Sequence, residues 1–327
     1  MARPPVAVTC GEPAGIGPEI AVKAWEVLGT DLPFVWIGDY HHLPKGTSVI
    51  PLDHAQDAAA ASKHGLPVLY SQFEGERTYG VANPAHAAEV IDAIDRAVWL
   101  CKVGAASSIV TGPINKKALK DGADFAHPGH TEFLAELGGV EDVVMMLAGP
   151  NLRVVPATIH IALAEVPHAL TSEGLETCLR ITHAGLRSDF GIEAPRIAVA
   201  GLNPHAGEGG TMGLEDGALI APVVDKLRAE GWEISGPLPA DTMFHEAARA
   251  GYDAAVCMYH DQALIPIKTL DFDRGVNVTL GLPFVRTSPD HGTAFDIAGK
   301  GIADPTSMIE AIKLADQMAR MREAALA

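Results

Sequence analysis

Basic residues are scarce in this 327-residue chain, which has 24 Lys and Arg against 41 Asp and Glu and a formal net charge of -17. A surface that binds nucleic acid or an anionic membrane needs a basic patch to meet the phosphates. The composition therefore argues against nucleic acid and membranes as partners. It is compatible with a small phosphorylated substrate, which needs only a few nearby cations.

Cysteines and long apolar runs are also few. The four cysteines show neither CxxC nor paired spacing, and they are Cys10, Cys101, Cys178 and Cys257. This pattern favours reduced thiols in a cytoplasmic protein over a disulfide framework. Because no run of about 18 apolar residues is present, we expect a chain that is neither exported nor membrane-spanning.

Aromatic residues make up only 6% of the chain, whereas 48% is hydrophobic and 20% is charged. These values are typical of a soluble globular protein with one large or two medium domains. Short β-type runs, such as 6–9 and 107–111, alternate with segments of helical spacing, such as 84–103. The alternation predicts an α/β fold with a doubly wound sheet.

The densest mixture of polar residues and apolar runs lies at 254–298. It opens with the strand-type run 254–258, and a histidine follows where that run ends. Two other apolar runs end in the same way, and the three histidines that follow them are His160, His205 and His260. In open α/β sheets, ligands bind outside the carboxyl ends of the strands. The sequence therefore predicts three histidines at ligand-binding positions.

A metal site formed by His160, His205 and His260 is the first candidate. Imidazole is the commonest protein ligand for metals, and three neutral imidazoles leave positions open for a substrate oxygen or water. Their separations are long and lack the HExxH or CxxC spacing of local zinc motifs. The alternative, ordinary hydrogen-bonded or solvated histidines, therefore stays open.

Lys268, Asn277 and Arg286 follow one another at equal intervals, and we expect them on a strand-turn-strand path. Their types suit an oxyanion, since Lys is a compact charge, Arg is a bidentate donor and Asn is a neutral donor. The alternative is that they are ordinary surface residues.

Three further segments join a predicted strand to a predicted helix. The glycine-rich turn 11–19 either offers backbone N–H groups to an anion or satisfies a tight turn, and it matches neither GxGxxG nor a P-loop. Lys116 is either a solvated charge or a ligand contact. His130 is a substrate donor, a general acid or a solvated imidazole, and Thr131 beside it is a candidate helix N-cap.

Seven motifs, in this order, resemble those of the 4-hydroxythreonine-4-phosphate dehydrogenases of bacterial pyridoxal 5'-phosphate synthesis. Together they cover nearly the whole chain. They are GEPAGIGPE, TGPINK, HPGHTEFLA, GLNPHAGEGG, GPLPADTMF, MYHDQALIPIK and GVNVTLGLPFVRTSPDHGTAFDIAG.

The resemblance implies a fold like that of the isocitrate and isopropylmalate dehydrogenases. Two α/β/α domains would form, with the active site in the interdomain cleft and at a homodimer interface. We expect 1–128 with 300–327 to form the first domain and 129–299 to form the second. The metal ligands would be the three histidines named above, drawn from both subunits. The substrate-binding positions that the resemblance implies are all intact, and they are His130, Thr131, Lys268, Asn277 and Arg286.

The implied reaction is the NAD- or NADP-dependent oxidation of the C3 hydroxyl of 4-phosphooxy-L-threonine, followed by loss of CO2 to give 3-amino-2-oxopropyl phosphate. A divalent cation such as zinc, cobalt or magnesium would make that hydroxyl more acidic. Asp241 and Asp261 are candidates for orienting the metal ligands or accepting the proton. The cofactor-binding candidates are Asp290, His291 and Gly292.

Other substrates and functions remain as alternatives. Relatives within the family oxidise threonate or erythronate phosphates, or ring cis-dihydrodiols that carry carboxylates. The intact Lys268, Asn277 and Arg286 favour a phosphorylated substrate but do not separate threonine from threonate. A phosphate acyltransferase of similar fold would need no metal, so the three histidines count against it. A non-catalytic metabolite-binding protein is hard to reconcile with an intact ligand set.

Overall fold

The structure, a computed structural model, describes residues 3–127 and 129–326. It divides into two compact units. Unit 1 comprises Met1–Glu141 and Leu282–Arg320, and unit 2 comprises Asp142–Gly281 and Met321–Ala327. The domain boundaries expected at 128/129 and 299/300 stay a prediction.

Strands occur along almost the whole chain. They are β1 Val6–Thr9, β2 Phe34–Gly38, β3 Val49–Pro51, β4 Leu66–Tyr70, β5 Ser108–Val110, β6 Val144–Ala148, β7 Arg153–Pro156, β8 Arg196–Ala200, β9 Glu233–Leu238, β10 Ala254–Cys257, β11 Val276–Leu280 and β12 Arg286–Pro289.

Helices alternate with the strands, as the sequence pattern predicted. The α-helices are α1 Gly17–Leu28, α2 Ala58–Ala61, α3 Ala87–Lys102, α4 Lys116–Ala123, α5 His130–Gly138, α6 Val166–Ala169, α7 Ser172–Ser188, α8 Ala221–Ala229, α9 Glu246–Arg249, α10 His260–Leu270 and α11 Thr306–Leu326. Within the described ranges, no helix combines the length and the apolar character that crossing a membrane would need.

Unit 1 is built on parallel strands in the order β3-β4-β2-β1-β5-β12. All four residues of β1 are buried, as are all five of β2. Continuous apolar runs of this kind suit parallel strands that are covered on both faces. Helix α3 buries Val90, Ala93, Ile94 and Ala97, at the three- and four-residue spacing of one helix face.

Unit 2 carries strands in the order β11-β6-β7-β10-β8-β9. The pairs β11/β6 and β6/β7 are antiparallel, whereas β7/β10, β10/β8 and β8/β9 are parallel. A buried cluster packs one face of these strands against α10, and burying each large aliphatic side chain contributes about 1.5–3 kcal/mol. The aliphatic members include Leu147, Leu152, Val154, Leu264 and Ile267.

Three neighbouring parallel strands of unit 2 end in register. Within the sheet, Val256 of β10 lies opposite Val155 of β7 on one side and Val199 of β8 on the other. The chain reaches one of the three candidate histidines within five residues of the end of each strand. The predicted strand-end position of these histidines is confirmed, and so is the predicted α/β class.

Two local predictions were wrong. Lys268 lies in the last turn of α10 rather than on a strand. Thr131 is the second residue of α5, and Gly129 is the N-cap of that helix.

Candidate active site

His160 and His260 lie side by side at the carboxyl ends of β7 and β10. Their ring centroids are 5.8 Å apart. Hydrogen bonds between the two chain segments hold this spacing, since Ala157 N donates to Cys257 O at 2.7 Å and Thr158 Oγ1 donates to Met258 O at 2.7 Å. The backbone thus positions both imidazoles before any ligand binds.

Asp261 orients one of the two imidazoles. Its Oδ1 is 2.7 Å from His260 Nδ1. An imidazole that donates its Nδ1 proton to a carboxylate keeps a lone pair on Nε2, and this is the arrangement found in many metal sites. A cavity of about 260 Å³ lies against His160, Tyr259, His260 and Asp261.

His205 stands apart, on an exposed loop with an unusual backbone. Residues 205–209 all have positive φ, including the non-glycine residues His205 at 51°, Ala206 at 51° and Glu208 at 39°. Left-handed backbone costs about 1–2 kcal/mol for each non-glycine residue. Strain of this kind is concentrated at functional sites, where the surrounding structure must hold it in place.

Asp216 holds the start of this loop. Its buried carboxylate accepts hydrogen bonds from Leu202 N at 2.7 Å and from Asn203 N at 3.2 Å. It also accepts one from Asn203 Nδ2 at 2.9 Å. Asp216 was not among the predicted site residues, and its only local signal is its position just after a glycine-rich segment.

The spacing of His160 and His260 suits two ligands of one divalent cation. With metal–nitrogen bonds of about 2.1 Å, two imidazoles on one tetrahedral ion have centroids about 5 Å apart, close to the separation of His160 and His260. Nevertheless, across residues 3–127 and 129–326, no three His, Cys, Asp or Glu side chains are arranged to hold a metal ion. His205 is therefore not grouped with the other two histidines within one chain.

The carboxylate candidates occupy different places in unit 2. Asp261 is beside His260, as described above. Asp241 is exposed in the short 3-10 helix Ala240–Thr242, and this helix contacts the His205 loop. Asp261 thus contacts His260 directly, whereas Asp241 lies on an element next to the His205 loop.

Lys268 and Asn277 are on different elements of unit 2. Lys268 Nζ lies 5.6 Å from the centroid of the Phe272 ring. Asn277 is half-buried within β11, opposite Leu147 of β6.

Arg286 is a buried cation in unit 1. It is 3% exposed, and its Nε and Nη2 donate to Thr111 Oγ1 at 3.2 and 2.7 Å. Burial lowers the pKa of Arg286 to about 10, so the guanidinium stays charged at neutral pH. Thr111 was not among the predicted site residues, although it directly follows β5 at the start of the TGPINK motif.

His130 lies near Arg286 at the start of α5. Its Nε2 is enclosed and has no hydrogen-bond partner in the part of the chain that the structure describes. Burial, and then the charges of Arg286 and Lys116, hold the pKa of His130 well below its ordinary value. Lys116 also approaches this site, because its Nζ would be 3.2 Å from a Cβ on Gly129. Of the predicted substrate residues, unit 1 brings His130 and Arg286 together, and Thr131 follows His130 in α5.

The cofactor candidates directly follow β12 in unit 1. Asp290 N donates to Ser307 Oγ at 3.2 Å, and His291 Nδ1 lies 2.9 Å from Gly292 O. His291 Nε2 is enclosed without a partner among the described residues. Nothing in these contacts identifies a ribose ligand.

Close packing accounts for the glycines of the turn between β1 and α1. A Cβ on Gly15 would lie 2.7 Å from Thr293 O, and one on Gly17 would lie 2.6 Å from Cys10 O. Ile16 N donates to Thr293 O at 3.0 Å, which fixes the turn against the segment after β12. The need for a tight turn is therefore enough to explain these glycines without an anion-binding role.

We expect the pKa of the His130 imidazole to lie well below its ordinary value of 6.5, because burial and two cations oppose its protonation. Replacing the exposed Lys116 with Met should raise this pKa but leave it below 6.5, since burial is the larger cause. The measurement is an NMR titration of the histidine side chains, with His130 assigned from a His130→Gln variant.

Lys117→Met is the matched control, because Lys117 pairs with Asp121 at 2.5 Å and does not act on His130. A normal titration of His130 near pH 6.5 in the wild type would contradict the prediction. Because this pKa is depressed in the folded state, the associated stability is present above pH 6.5 and declines as the pH falls.

Comparison with known proteins agrees with the motif resemblance. The family model described as pyridoxal phosphate biosynthetic protein PdxA matches residues 31–315. A 4-hydroxythreonine-4-phosphate dehydrogenase of Ruegeria sp. (strain TM1040) is 60% identical over 318 residues, which cover 97% of this chain and 98% of the relative. Another, from Roseobacter denitrificans, is 62% identical over 319 residues with the same coverage.

A solved structure gives the same result. The crystal structure of 4-hydroxythreonine-4-phosphate dehydrogenase from Klebsiella pneumoniae matches with a TM-score of 0.87 and 40% identity, covering 97% of this chain and 99% of that chain. With matches of this identity over nearly its whole length, the chain belongs to the family of the pyridoxal phosphate biosynthetic protein PdxA.

Proposed function

We propose that this protein is a 4-hydroxythreonine-4-phosphate dehydrogenase of pyridoxal 5'-phosphate synthesis. It oxidises the C3 hydroxyl of 4-phosphooxy-L-threonine with NAD or NADP, and the product 2-amino-3-oxo-4-phosphooxybutanoate loses CO2 to give 3-amino-2-oxopropyl phosphate. The observation that carries the proposal is the 60% identity to a relative of that name over 97% of the chain.

The anionic groups of the substrate need fixed cations, and unit 1 supplies them. Arg286 is held by Thr111 in a buried position, where its charge is weakly screened and attracts an anion more strongly than a surface cation does. His130, neutral and with its Nε2 unpartnered among the described residues, donates or accepts a hydrogen bond beside it. Thr131, Lys268 and Asn277 are the other proposed substrate-binding residues.

His160, His205 and His260 are the proposed ligands of a divalent cation, zinc, cobalt or magnesium. When bound, such an ion supplies a Lewis acid that lowers the pKa of a substrate hydroxyl and stabilises negative charge on its oxygen. Asp261 accepts a hydrogen bond from Nδ1 of His260, which leaves the lone pair of Nε2 available to bind the metal.

Asp241 is the proposed acceptor of the hydroxyl proton. The nicotinamide cofactor would supply the acceptor for the C3 hydride, so that loss of the hydroxyl proton and of this hydride would turn the C3 alcohol into a ketone. The resulting β-keto acid then breaks its bond between C1 and C2, releases CO2, and takes up a proton at C2. Asp241 is suited to the proton transfer because it is exposed on a short helix that contacts the His205 loop.

We further propose that two copies of the chain share each metal site and that the enzyme acts in the cytoplasm as a homodimer. Within one chain His160 and His260 are neighbours, but His205 does not join them. Exposed apolar side chains follow these histidines along the chain, as at a surface that another copy covers. They are Ile161 at 44%, Leu163 at 67%, Met212 at 43%, Leu214 at 70% and Ile265 at 63% exposure.

We expect NAD reduction by the purified protein only with 4-phosphooxy-L-threonine and a bound divalent cation. The assay follows absorbance of the reduced cofactor with chelator-treated enzyme and with enzyme reloaded with zinc, cobalt or magnesium. Oxidation of threonate 4-phosphate in place of the threonine compound would overturn the assigned substrate while leaving the metal requirement intact.

Replacing Asp261 with Asn should lower metal affinity or turnover by about 10- to 100-fold, because the carboxylate that orients His260 is lost. Asp241→Asn should lower kcat by about 100-fold or more at unchanged metal content, as expected for a proton acceptor. Metal content by mass spectrometry and steady-state rates separate the two effects. Asp273→Asn, at an exposed carboxylate of unit 2, is the control, and unchanged turnover in either test variant removes that residue from the mechanism.

A shared site predicts complementation between two inactive variants. His205→Ala and His260→Ala should each be inactive alone. When they are mixed and allowed to exchange subunits, about a quarter of wild-type activity should return, because half of the dimers are mixed and each mixed dimer carries one complete site. A mixture that stays inactive after exchange, verified by mass spectrometry of the dimers, would show that each chain supplies all three ligands itself.

A further inference from the structure

Gln262 joins the chain segments that carry two of the three proposed metal ligands. It is half-buried in the first turn of α10, two residues after His260. Its Oε1 accepts a hydrogen bond from Met258 N at 2.7 Å, and its Nε2 donates to Gly201 O at 2.8 Å. Met258 leads from β10 to His260, whereas Gly201 directly follows β8 and opens the segment that reaches His205. One side chain therefore spans the ends of two neighbouring strands.

The amide of Gln262 lies beyond the end of the main-chain pairing between these strands. The parallel register of β10 and β8 ends at Val256 and Val199. On its other side, β10 keeps backbone bonds as far as Met258, whose O accepts from Thr158 N at 3.2 Å. A side-chain amide carries both an acceptor and donors, so it can bridge two strands in the manner of a peptide group.

The bonds form a continuous line across the three strand ends that lead to the proposed metal ligands. It starts beyond β7 at Thr158, whose Oγ1 donates to Met258 O at 2.7 Å. From the backbone of Met258 it continues through the amide of Gln262 to Gly201. Each backbone member lies two to four residues before one of the three histidines. Because Met258 and Gly201 are buried, loss of the amide would leave their polar groups without this partner, away from water.

The segment that starts at Gly201 needs such contacts because the backbone at His205 is strained. Left-handed conformations of non-glycine residues persist only where the surrounding structure holds them. Gly201 N donates to Leu238 O at 2.7 Å, and a Cβ on Gly201 would lie 2.6 Å from Asp216 Oδ1. With Gln262 on Gly201 O, the start of the His205 loop is held from three sides.

Helix capping is the simpler explanation for Gln262, and it accounts for only half of the contacts. A glutamine in the first turn of a helix often accepts a hydrogen bond from a backbone N–H near the N-cap, which is Tyr259 in α10. That role needs only Oε1, and a glutamate fills it equally well. The bond from Nε2 to Gly201 O leaves the helix and reaches another strand, so both contacts together require an amide.

We propose that Gln262 is a positioning residue that sets the place of the His205 loop relative to the strand end that carries His260. It acts through the backbone at both ends rather than by binding the metal. In the proposed dimer, His205 of one copy joins His160 and His260 of the other, so each Gln262 aligns ligands of both metal sites. This inference rests on the proposed function and its shared metal site.

The test is titration of the full-length, metal-free protein with Co²⁺. The visible absorption of the bound ion reports both its affinity and its coordination geometry. Gln262→Met nearly keeps the length of the side chain and removes both hydrogen bonds. It should weaken cobalt binding about tenfold or more, as expected for a residue that supports metal ligands, and alter the absorption bands. Gln317→Met, at an exposed glutamine of unit 1, should change neither.

Gln262→Glu separates alignment from helix capping. The carboxylate still accepts from Met258 N but has no proton to donate to Gly201 O. Its negative charge alone would strengthen cobalt binding, so weaker binding would not be an effect of charge. We expect this variant to lose cobalt affinity as Gln262→Met does, and it carries the test if Gln262→Met does not fold.

Two results would overturn the positioning role. Wild-type affinity and absorption in Gln262→Glu would reduce the side chain to a cap of α10. Weak cobalt binding that arises only because the copies no longer associate, as size-exclusion chromatography would show, would make the residue one of assembly instead. Circular dichroism checks that each variant folds.

Cobalt binding is measured without substrate or cofactor and does not depend on turnover. If 4-phosphooxy-L-threonine is not oxidised but both Gln262 variants bind cobalt weakly with altered absorption, the proposed substrate is wrong and the positioning role stands. If metal-dependent oxidation proceeds and both variants keep the wild-type affinity and absorption, the positioning role is wrong and the proposed function stands.

Discussion

The in-register pairing of β7, β10 and β8 is the constraint on which the histidine site depends. Neighbouring strands lie about 4.8 Å apart, and a shift of one residue moves a side chain by about 3.3 Å along the strand. Residues that directly follow two such strands are therefore separated by nearly the distance that two ligands of one metal ion require. The 5.8 Å between the rings of His160 and His260 follows from this spacing and from the hydrogen bonds of Ala157 and Thr158 to the end of β10.

Unit 1 uses the same principle for a different chemistry. Its parallel strands β5 and β12 bring Thr111 and Arg286 together, and Thr111 accepts two hydrogen bonds from the guanidinium. Because this cation is buried, its field reaches His130 with little screening and helps to keep that imidazole neutral. A charged donor and a neutral donor next to each other can bind an anion without adding a second buried charge, which would cost several kcal/mol to desolvate.

The strand-end histidines could be predicted from the sequence, because each apolar run and the polar residue that ends it are local features. The contact of Arg286 with Thr111 could not, since 175 residues separate them and only the parallel pairing joins them. The left-handed loop at His205 was equally hidden, because two of its three strained non-glycine residues, Ala206 and Glu208, carry no sequence signal for positive φ. Metal-binding and oxyanion-binding roles could be predicted from residue chemistry alone, whereas the substrate and the reaction followed from the family resemblance.

The conformation of the His205 loop supports the proposal that two copies of the chain share each metal site. Its three left-handed non-glycine residues cost about 1–2 kcal/mol each, and the buried Asp216 offsets part of this by satisfying backbone donors at the start of the loop. The strained backbone leaves the His205 side chain exposed. Leu214, further along the chain, is 70% exposed. An apolar, strained and exposed segment is costly to maintain unless something covers it. In the proposed dimer, a second copy of the chain would bury that apolar surface and bring its own His160 and His260 to His205.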